Sequence, residues 1–253
     1  MIPYFTWQSV QLGPLMLNVW GFFVAVGFLA AALAAGWMVK RCDGEDKVIY
    51  DLTVWMMITG LIGGRLGHIL FYEPAAYFAN PLEVFAIWHG GMSLFGGIIL
   101  STFVGVWYLR KRHVDIWKYS DAVFFGLPIG LFVGRIGCFL IHDHPGTATN
   151  FFLGIEYPDG IVRHDHGLYL SLSGLAMAIA FFFLAKKNRP TGFFLGLFTV
   201  WYGIVRFVLD FYRTLDVRYG GLTPGQYFSL ILFIFGSVVL CRIYTKLPSK
   251  TAV

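Results

Sequence analysis

Residues 15–39 read LMLNVWGFFVAVGFLAAALAAGWMV, an apolar run without one charged side chain that stops at Lys40 and Arg41. A helix needs roughly 20 predominantly apolar residues to cross a bilayer, so this run is long enough to span. Further apolar runs broken by charge predict helices at about 50–71, 89–109, 119–141, 167–185, 191–212 and 223–244. Composition agrees over the whole chain of 253 residues, which is 57% hydrophobic and 13% charged. Soluble domains carry about 25% charged residues, so soluble, disordered and disulfide-scaffold classes are excluded. The expected fold is all-α: one polytopic transmembrane domain over 1–253 with about seven spans.

An odd number of spans puts the termini on opposite sides. Lys40, Arg41 and Lys47; Arg110, Lys111, Arg112 and Lys118; Lys186, Lys187 and Arg189; and Arg242, Lys246 and Lys250 then share one side, leaving Arg163, Arg213 and Arg218 on the other. The positive-inside rule places the C-terminus in the cytoplasm and the N-terminus outside. No basic n-region or small-residue cleavage site brackets the first run, so it is expected to remain as an anchor. Cys42, Cys138 and Cys241 give no outward-facing pair for a disulfide. The net charge of +5 restates the inward basic bias and gives no reason to invoke nucleic acid. Trp7, Trp88, Tyr4, Tyr77 and Trp117 read as an interfacial aromatic belt.

Gly60 and Gly64, Gly63 and Gly67, Gly130 and Gly134, and Gly192 and Gly196 stand in small-xxx-small spacing, which predicts close helix pairs. Against this apolar background three arginines lie inside spans: Arg65, Arg135 and Arg206. Each falls about 14 to 16 residues into an outward-running helix, so at 1.5 Å per residue all three occupy one layer in the outer half of the bilayer. A guanidinium there costs at least about 2.5 kcal/mol on insertion scales and needs an anionic partner. Asp210, four residues after Arg206, can pair with it along the helix. Arg65 and Arg135 lack an obvious carboxylate, and a phosphate on an outer-leaflet lipid fits their planar donor forks. The alternative is that the arginines snorkel or bond to carbonyls as structural locks.

His89, Gly90 and Gly91 open the third span at the same level. An outer His-rich loop at about 142–166 holds His142, Asp143, His144 and Gly146, then His164, Asp165 and His166. Two His-Asp-His triplets can in principle ligate a transition metal, but no fixed ligand spacing supports one, so catalytic or solvated polar groups are the reading and no metal is expected. No phosphate-binding loop or dinucleotide fingerprint appears, so no cofactor is expected.

Taken in order, these residues resemble the prolipoprotein diacylglyceryl transferase family, bacterial inner-membrane enzymes. The resemblance rests on Gly63-Gly64-Arg65-Leu66-Gly67 with Phe71-Tyr72, on His89-Gly90-Gly91 through Gly96-Gly97, and on Gly134-Arg135-Ile136-Gly137 with Phe139. It continues through Arg189-Pro190-Thr191-Gly192, Tyr202-Gly203-Ile204-Val205-Arg206-Phe207, Asp210-Phe211-Tyr212-Arg213 with Asp216, and Gly221-Leu222-Thr223-Pro224-Gly225-Gln226. It implies transfer of the diacylglyceryl group of phosphatidylglycerol to the lipobox cysteine of a prolipoprotein signal peptide, with loss of glycerol phosphate. On that resemblance Arg135, Arg206 and His89 are the expected catalytic groups. Arg65, Gly90, Gly91, Gly134, Gly137, Cys138, Asp143, Gly146, His166, Tyr169, Asp210 and Arg213 are expected to line the substrate site. Both substrates are membrane-bound, so membrane lipid is a partner.

The chain departs from the family pattern in several places. Cys138 stands for an Asn, His142-Asp143 for a Gly-Glu, Trp20 for a Tyr, and Asp210 for a Glu. The segment Asp165-His166-Gly167-Leu168-Tyr169-Leu170 lacks the family's Gln and Glu. Three accounts fit: a transferase whose site is rebuilt with the outer His-Asp-His groups; a member acting on another head group or acceptor, with Cys138 as nucleophile rather than packing; or a noncatalytic anionic-lipid binder or carrier.

Overall fold

The computed structural model describes residues 1–71, 91–214 and 217–246. They form seven α-helices: α1 (Val19–Arg41), α2 (Asp46–Phe71), α3 (Leu94–Lys111), α4 (Ile116–Ile141), α5 (His166–Leu184), α6 (Phe193–Leu209, continued by a 3-10 turn at Asp210–Tyr212) and α7 (Pro224–Lys246). By length and composition α1, α4, α5, α6 with its 3-10 turn, and α7 are apolar enough to cross a membrane, which makes the chain a polytopic membrane protein. The helices follow the expected spans closely, because in hydrocarbon every backbone N–H and C=O must be satisfied within the segment.

Local sequence sets the helix ends. Asn18 caps α1 by accepting from the Gly21 amide at 2.9 Å, and Asp115 caps α4 by accepting from Trp117 and Lys118. α4 runs through Pro128 and ends where His142 takes a left-handed conformation, φ 51°. Gly192, φ 91°, starts α6, and the buried Asp121 on α4 accepts from the Leu195 amide at 2.9 Å. Asp121 thereby neutralises the exposed amides of a helix start.

α1 packs most extensively on α4, α2 on α3, and α6 on α7, with α5 lying on α4. Glycine makes two of these contacts possible. A side chain on Gly96 of α3 would collide with Gly63 and Gly67 of α2, and one on Gly130 of α4 would meet Ala31 and the Gly27 carbonyl of α1. Gly134 differs: its backbone lies against Gly27 of α1, but a methyl on Gly134 itself would meet no described atom within 4 Å. An aromatic core containing Phe125, Phe181, Phe194 and Phe198 fills the basic end of the bundle.

The opposite end carries strands that the helical reading did not include. β1 (Ile2–Pro3), β4 (Pro145–Ala148), β5 (Ile155–Glu156) and β6 (Val162–Asp165) form a sheet in the order β1-β5-β6-β4, with β1 parallel to β5. β2 (Ser9–Leu12) and β3 (Leu15–Asn18) form a separate hairpin, so the start of the first apolar run is strand and α1 begins at Val19. Outside the hydrocarbon, water and neighbouring strands can satisfy backbone groups, so the helix-only constraint lapses there. The His-rich segment between α4 and α5 is therefore a folded cap.

Candidate functional site

α4 carries the first part of the site. The guanidinium of Arg135 has one hydrogen-bond partner among the described residues, the Cys138 thiol at 3.7 Å, and no described carboxylate within 4 Å. The spacing from 135 to 138 is one helical turn, which puts both side chains on one face. The Trp20 indole and the Asp143 carboxylate also face that thiol. Asp143 lies in turn 2.6 Å from His144 Nδ1, a close contact without the alignment of a hydrogen bond. One residue before Arg135, a methyl on Gly134 would meet no described atom within 4 Å, so that side of α4 is open among the described residues. Gly137 is enclosed, since a side chain there would meet Phe23 and Trp20; it lets α1 approach α4.

α6 and the start of α7 carry the second part. Arg206 lies 3.1 Å from Asp210, as their four-residue spacing predicts, and Arg213 lies 3.8 Å from the same oxygen. Asp210 is fully buried, and its other oxygen accepts from the Thr223 hydroxyl at 2.6 Å. Thr223 and Gln226 cap each other: the Thr223 amide donates to Gln226 Oε1 at 2.9 Å and the Gln226 amide to Thr223 Oγ1 at 3.1 Å. Gln226 Nε2 also donates to the Phe207 carbonyl at 3.1 Å. Thr223-Pro224-Gly225-Gln226 is a Thr-x-x-Gln box with proline at the first helical position. What the sequence did not reveal is that this cap holds Asp210, and through it the two arginines.

His166 joins the two parts. It is 1% exposed, with Nε2 2.9 Å from the Leu209 carbonyl and Nδ1 3.3 Å from the His144 carbonyl. Arg206 and Arg213 are within electrostatic reach of its ring. Gly146 pairs with Arg213 through the backbone and is enclosed by Tyr212 and His164, so a side chain there would collide. The Tyr169 hydroxyl lies 2.8 Å from His164 Nδ1. Burial holds the His164 imidazole below its ordinary pKa, because the charged ring loses solvation.

Arg65 forms a separate cluster on α2. It is 4% exposed and donates to the Gly91 carbonyl at 3.3 Å. Gly91 has φ 74°, and a side chain there would strike the His68 ring, so glycine is required both for conformation and for close approach. His89, Gly90 and Asp216, together with Trp88 and Tyr77, lie outside the described residues.

The cap holds a second histidine–carboxylate couple that the sequence reading did not separate from its neighbours. His142 Nδ1 lies 2.7 Å from Asp165 Oδ2, with both side chains 1% exposed, and the other Asp165 oxygen caps α5 by accepting from the Leu168 amide. Tyr4, Phe5, Phe139 and Tyr157 surround the ring. Among the described residues no group of three or more His, Cys, Asp or Glu side chains is arranged to hold a metal ion.

Fold and site together define a polytopic membrane protein whose apolar helices carry arginines beneath a folded polar cap. The prolipoprotein diacylglyceryl transferase family matches residues 8–242. Phosphatidylglycerol--prolipoprotein diacylglyceryl transferase of Solidesulfovibrio magneticus is 35% identical over 263 aligned positions, covering 99% of this chain and 98% of that protein. The Pseudomonas putida protein of the same name is 33% identical over 95% of this chain and 94% of its own length, and that of Nitratidesulfovibrio vulgaris 35% identical over 90% of each. The chain belongs to the prolipoprotein diacylglyceryl transferase family.

Proposed function

We propose that this chain is a transferase that moves the diacylglyceryl group of phosphatidylglycerol onto the lipobox cysteine of prolipoproteins in the bacterial inner membrane, the first step of lipoprotein maturation. The observation that carries the site assignment is Arg135: a guanidinium inside an apolar helix, with open space at Gly134 and no described carboxylate within 4 Å. Such a group is costly unless an anion meets it, and the phosphodiester of a lipid head group is an anion delivered within the membrane.

In this reading Arg135 and Arg206 hold the phosphate and stabilise the charge that develops on departing glycerol phosphate. Asp210 keeps Arg206 and Arg213 in place, and the Thr223–Gln226 cap keeps Asp210 in place. Arg65, Gly91, Cys138, Asp143, His166 and Tyr169 border the path of head group and acceptor, and His89 with Gly90 belongs to the same layer by resemblance. The signal peptide's apolar helix and the lipid's acyl chains both reach this layer from the bilayer. The chain has seven spans, with the N-terminus and the sheet outside and the basic loops in the cytoplasm.

The test is incubation of the purified chain with phosphatidylglycerol and a peptide bearing one lipobox cysteine. Diacylglyceryl thioether is read by mass spectrometry and glycerol phosphate by assay, and both products are expected in equal amounts. Arg135→Ala and Arg206→Ala are each expected to insert normally and to lose at least about 100-fold in turnover, the scale of removing one transition-state donor. Binding of phosphatidylglycerol without either product would support the carrier reading instead.

A further inference from the structure

We propose that the basic end of the bundle holds a second lipid site, a cleft between the start of α4 and the end of α7 that takes the phosphate of an anionic phospholipid from the cytoplasmic leaflet. The site rests on the orientation proposed above and not on the transfer reaction. The cleft encloses about 370 Å³. Trp117 from α4, Thr191 from the turn before α6 and Arg242 from α7 supply its polar lining, and Phe235, Val238 and Val239 of α7 its apolar wall. Gly192, the left-handed residue at the start of α6, lies against it: a methyl there would come within 3.7 Å of both Trp117 and Val239. The Arg189-Pro190-Thr191-Gly192 segment, which the arginine site does not use, thus gives the cleft a hydroxyl and a glycine that lets α7 pass close.

Charge and shape select the occupant. The Arg242 guanidinium, the Thr191 hydroxyl and the Trp117 indole have no hydrogen-bond or ion-pair partner among the described residues. All three can donate, and donors that line one cleft call for an acceptor, for which phosphate oxygens suit a guanidinium best. The acids that neighbour Trp117 in sequence are committed elsewhere. Asp115 caps α4 through the Trp117 and Lys118 amides, and Asp121, 6% exposed, accepts from the Leu195 amide. Lys118, Lys186, Lys187 and Arg189 stand in the adjoining turns, so the surroundings favour an anion. Phe235 and Val238 are 45% and 44% exposed, which leaves the apolar wall open for an acyl chain to lie along α7. A soluble anion would leave that wall unused.

The cleft is separate from the arginine layer. Pro224 begins α7 next to Thr223, which bonds to Asp210, and at 1.5 Å per residue Arg242 lies about 27 Å further along the helix. A lipid here has a structural task. α7 packs closely on α6 and not on α4, and a lipid that touches both Trp117 and Arg242 ties α4 to α7. Only the folded chain presents the cleft, so its occupation raises stability in proportion to lipid concentration.

The experiment titrates phosphatidylglycerol, phosphatidylcholine or inorganic phosphate into the full-length chain in a neutral detergent, with bound lipid counted by native mass spectrometry and the melting temperature followed alongside. The Arg135→Ala chain, stripped of the contact proposed for the substrate phosphate, is expected to keep a phosphatidylglycerol adduct and a lipid-dependent rise in melting temperature. Adding Arg242→Gln should weaken that adduct at least about 10-fold, the scale of one lost charge-assisted hydrogen bond, and flatten the rise. Arg242→Gln alone should keep wild-type turnover per folded molecule. Undiminished phosphatidylglycerol binding in the double variant, or equal binding of phosphatidylcholine, means annular lipid only and overturns the site. A rise with inorganic phosphate equal to that with phosphatidylglycerol overturns the lipid as occupant. Should Arg242→Gln fail to fold, Thr191→Val decides: a loss of about 3-fold in adduct affinity is expected, and an unchanged affinity overturns the site. A wild-type chain that forms no thioether but shows the adduct and its loss would sink the transfer reaction and uphold this site.

Discussion

Two helix glycines do different things in this chain, and substitution separates them. Gly96→Ala puts a methyl into the backbone of α2 at Gly63 and Gly67, where nothing flexible can yield. It should destabilise by about 1–3 kcal/mol, the usual cost of overpacking, and lower the melting temperature in detergent. Gly134→Ala meets no described atom within 4 Å and should leave the melting temperature unchanged while reducing turnover, if the open side of α4 next to Arg135 is the space the head group uses. A destabilised Gly134→Ala protein would remove the case for that space. Small-xxx-small spacing marks Gly134 as a position that a neighbour can approach, but does not say which side of the glycine stays open.

The same limit applied to the histidines. Their clustering in one segment was legible, and so was the pairing of Arg206 with Asp210, because helical spacing fixes it. The separation of His142, His144, His164 and His166 into four environments depends on how the cap strands cross, which no local pattern encodes. His164 gives this a measurable consequence. Its folded pKa lies below the ordinary value of 6.5, so between that value and the folded one the unfolded chain binds more protons. The cap therefore keeps its full stability above about pH 6.5 and loses part of it as pH falls through the folded pKa. The protection of the Val162–Asp165 strand amides, measured against their intrinsic exchange rate at each pH, should fall between pH 7.5 and 5 in wild type, and less so in His164→Gln. Equal loss of protection in both would place the effect on another group.

Among elements, the start of α7 carries a role out of proportion to its length. The Thr223 hydroxyl is the described donor to one oxygen of fully buried Asp210, so Thr223→Val leaves that oxygen unsatisfied. A buried acceptor stripped of its donor costs about 1–3 kcal/mol. The variant should melt earlier and lose activity by more than that destabilisation explains, since Arg206 and Arg213 both depend on Asp210. Thr223→Ser retains the hydroxyl and should restore both properties. If Thr223→Val lowers stability but leaves turnover per folded molecule unchanged, Asp210 does not position the arginines for the reaction. Of this element the helix start near 223 was legible from the apolar run that follows it. The strands β4 to β6 were not, since two- to four-residue strands carry too little alternation to announce themselves.

For the whole molecule, the basic bias of the turns predicts one orientation. The segment before Lys40 carries no charged side chain, and the strands and cap gather at that end, opposite the Lys- and Arg-rich turns. Two native cysteines report on the basic end: Cys42, which follows Lys40 and Arg41, and Cys241, next to Arg242, are both exposed, whereas Cys138 is buried. Met16 in the hairpin is 77% exposed and reports on the other end as Met16→Cys. In intact spheroplasts a membrane-impermeant maleimide should label Met16→Cys at once and reach Cys42 and Cys241 only after permeabilisation. This follows from the proposed orientation, in which the positive-inside bias holds the basic turns on the cytoplasmic face and the proposed arginine site opens toward the side on which secreted precursors emerge. Labelling of Cys42 in intact spheroplasts would invert the molecule, set the cap and its histidines against the cytoplasm, and deny the arginine layer its meeting with an exported thiol.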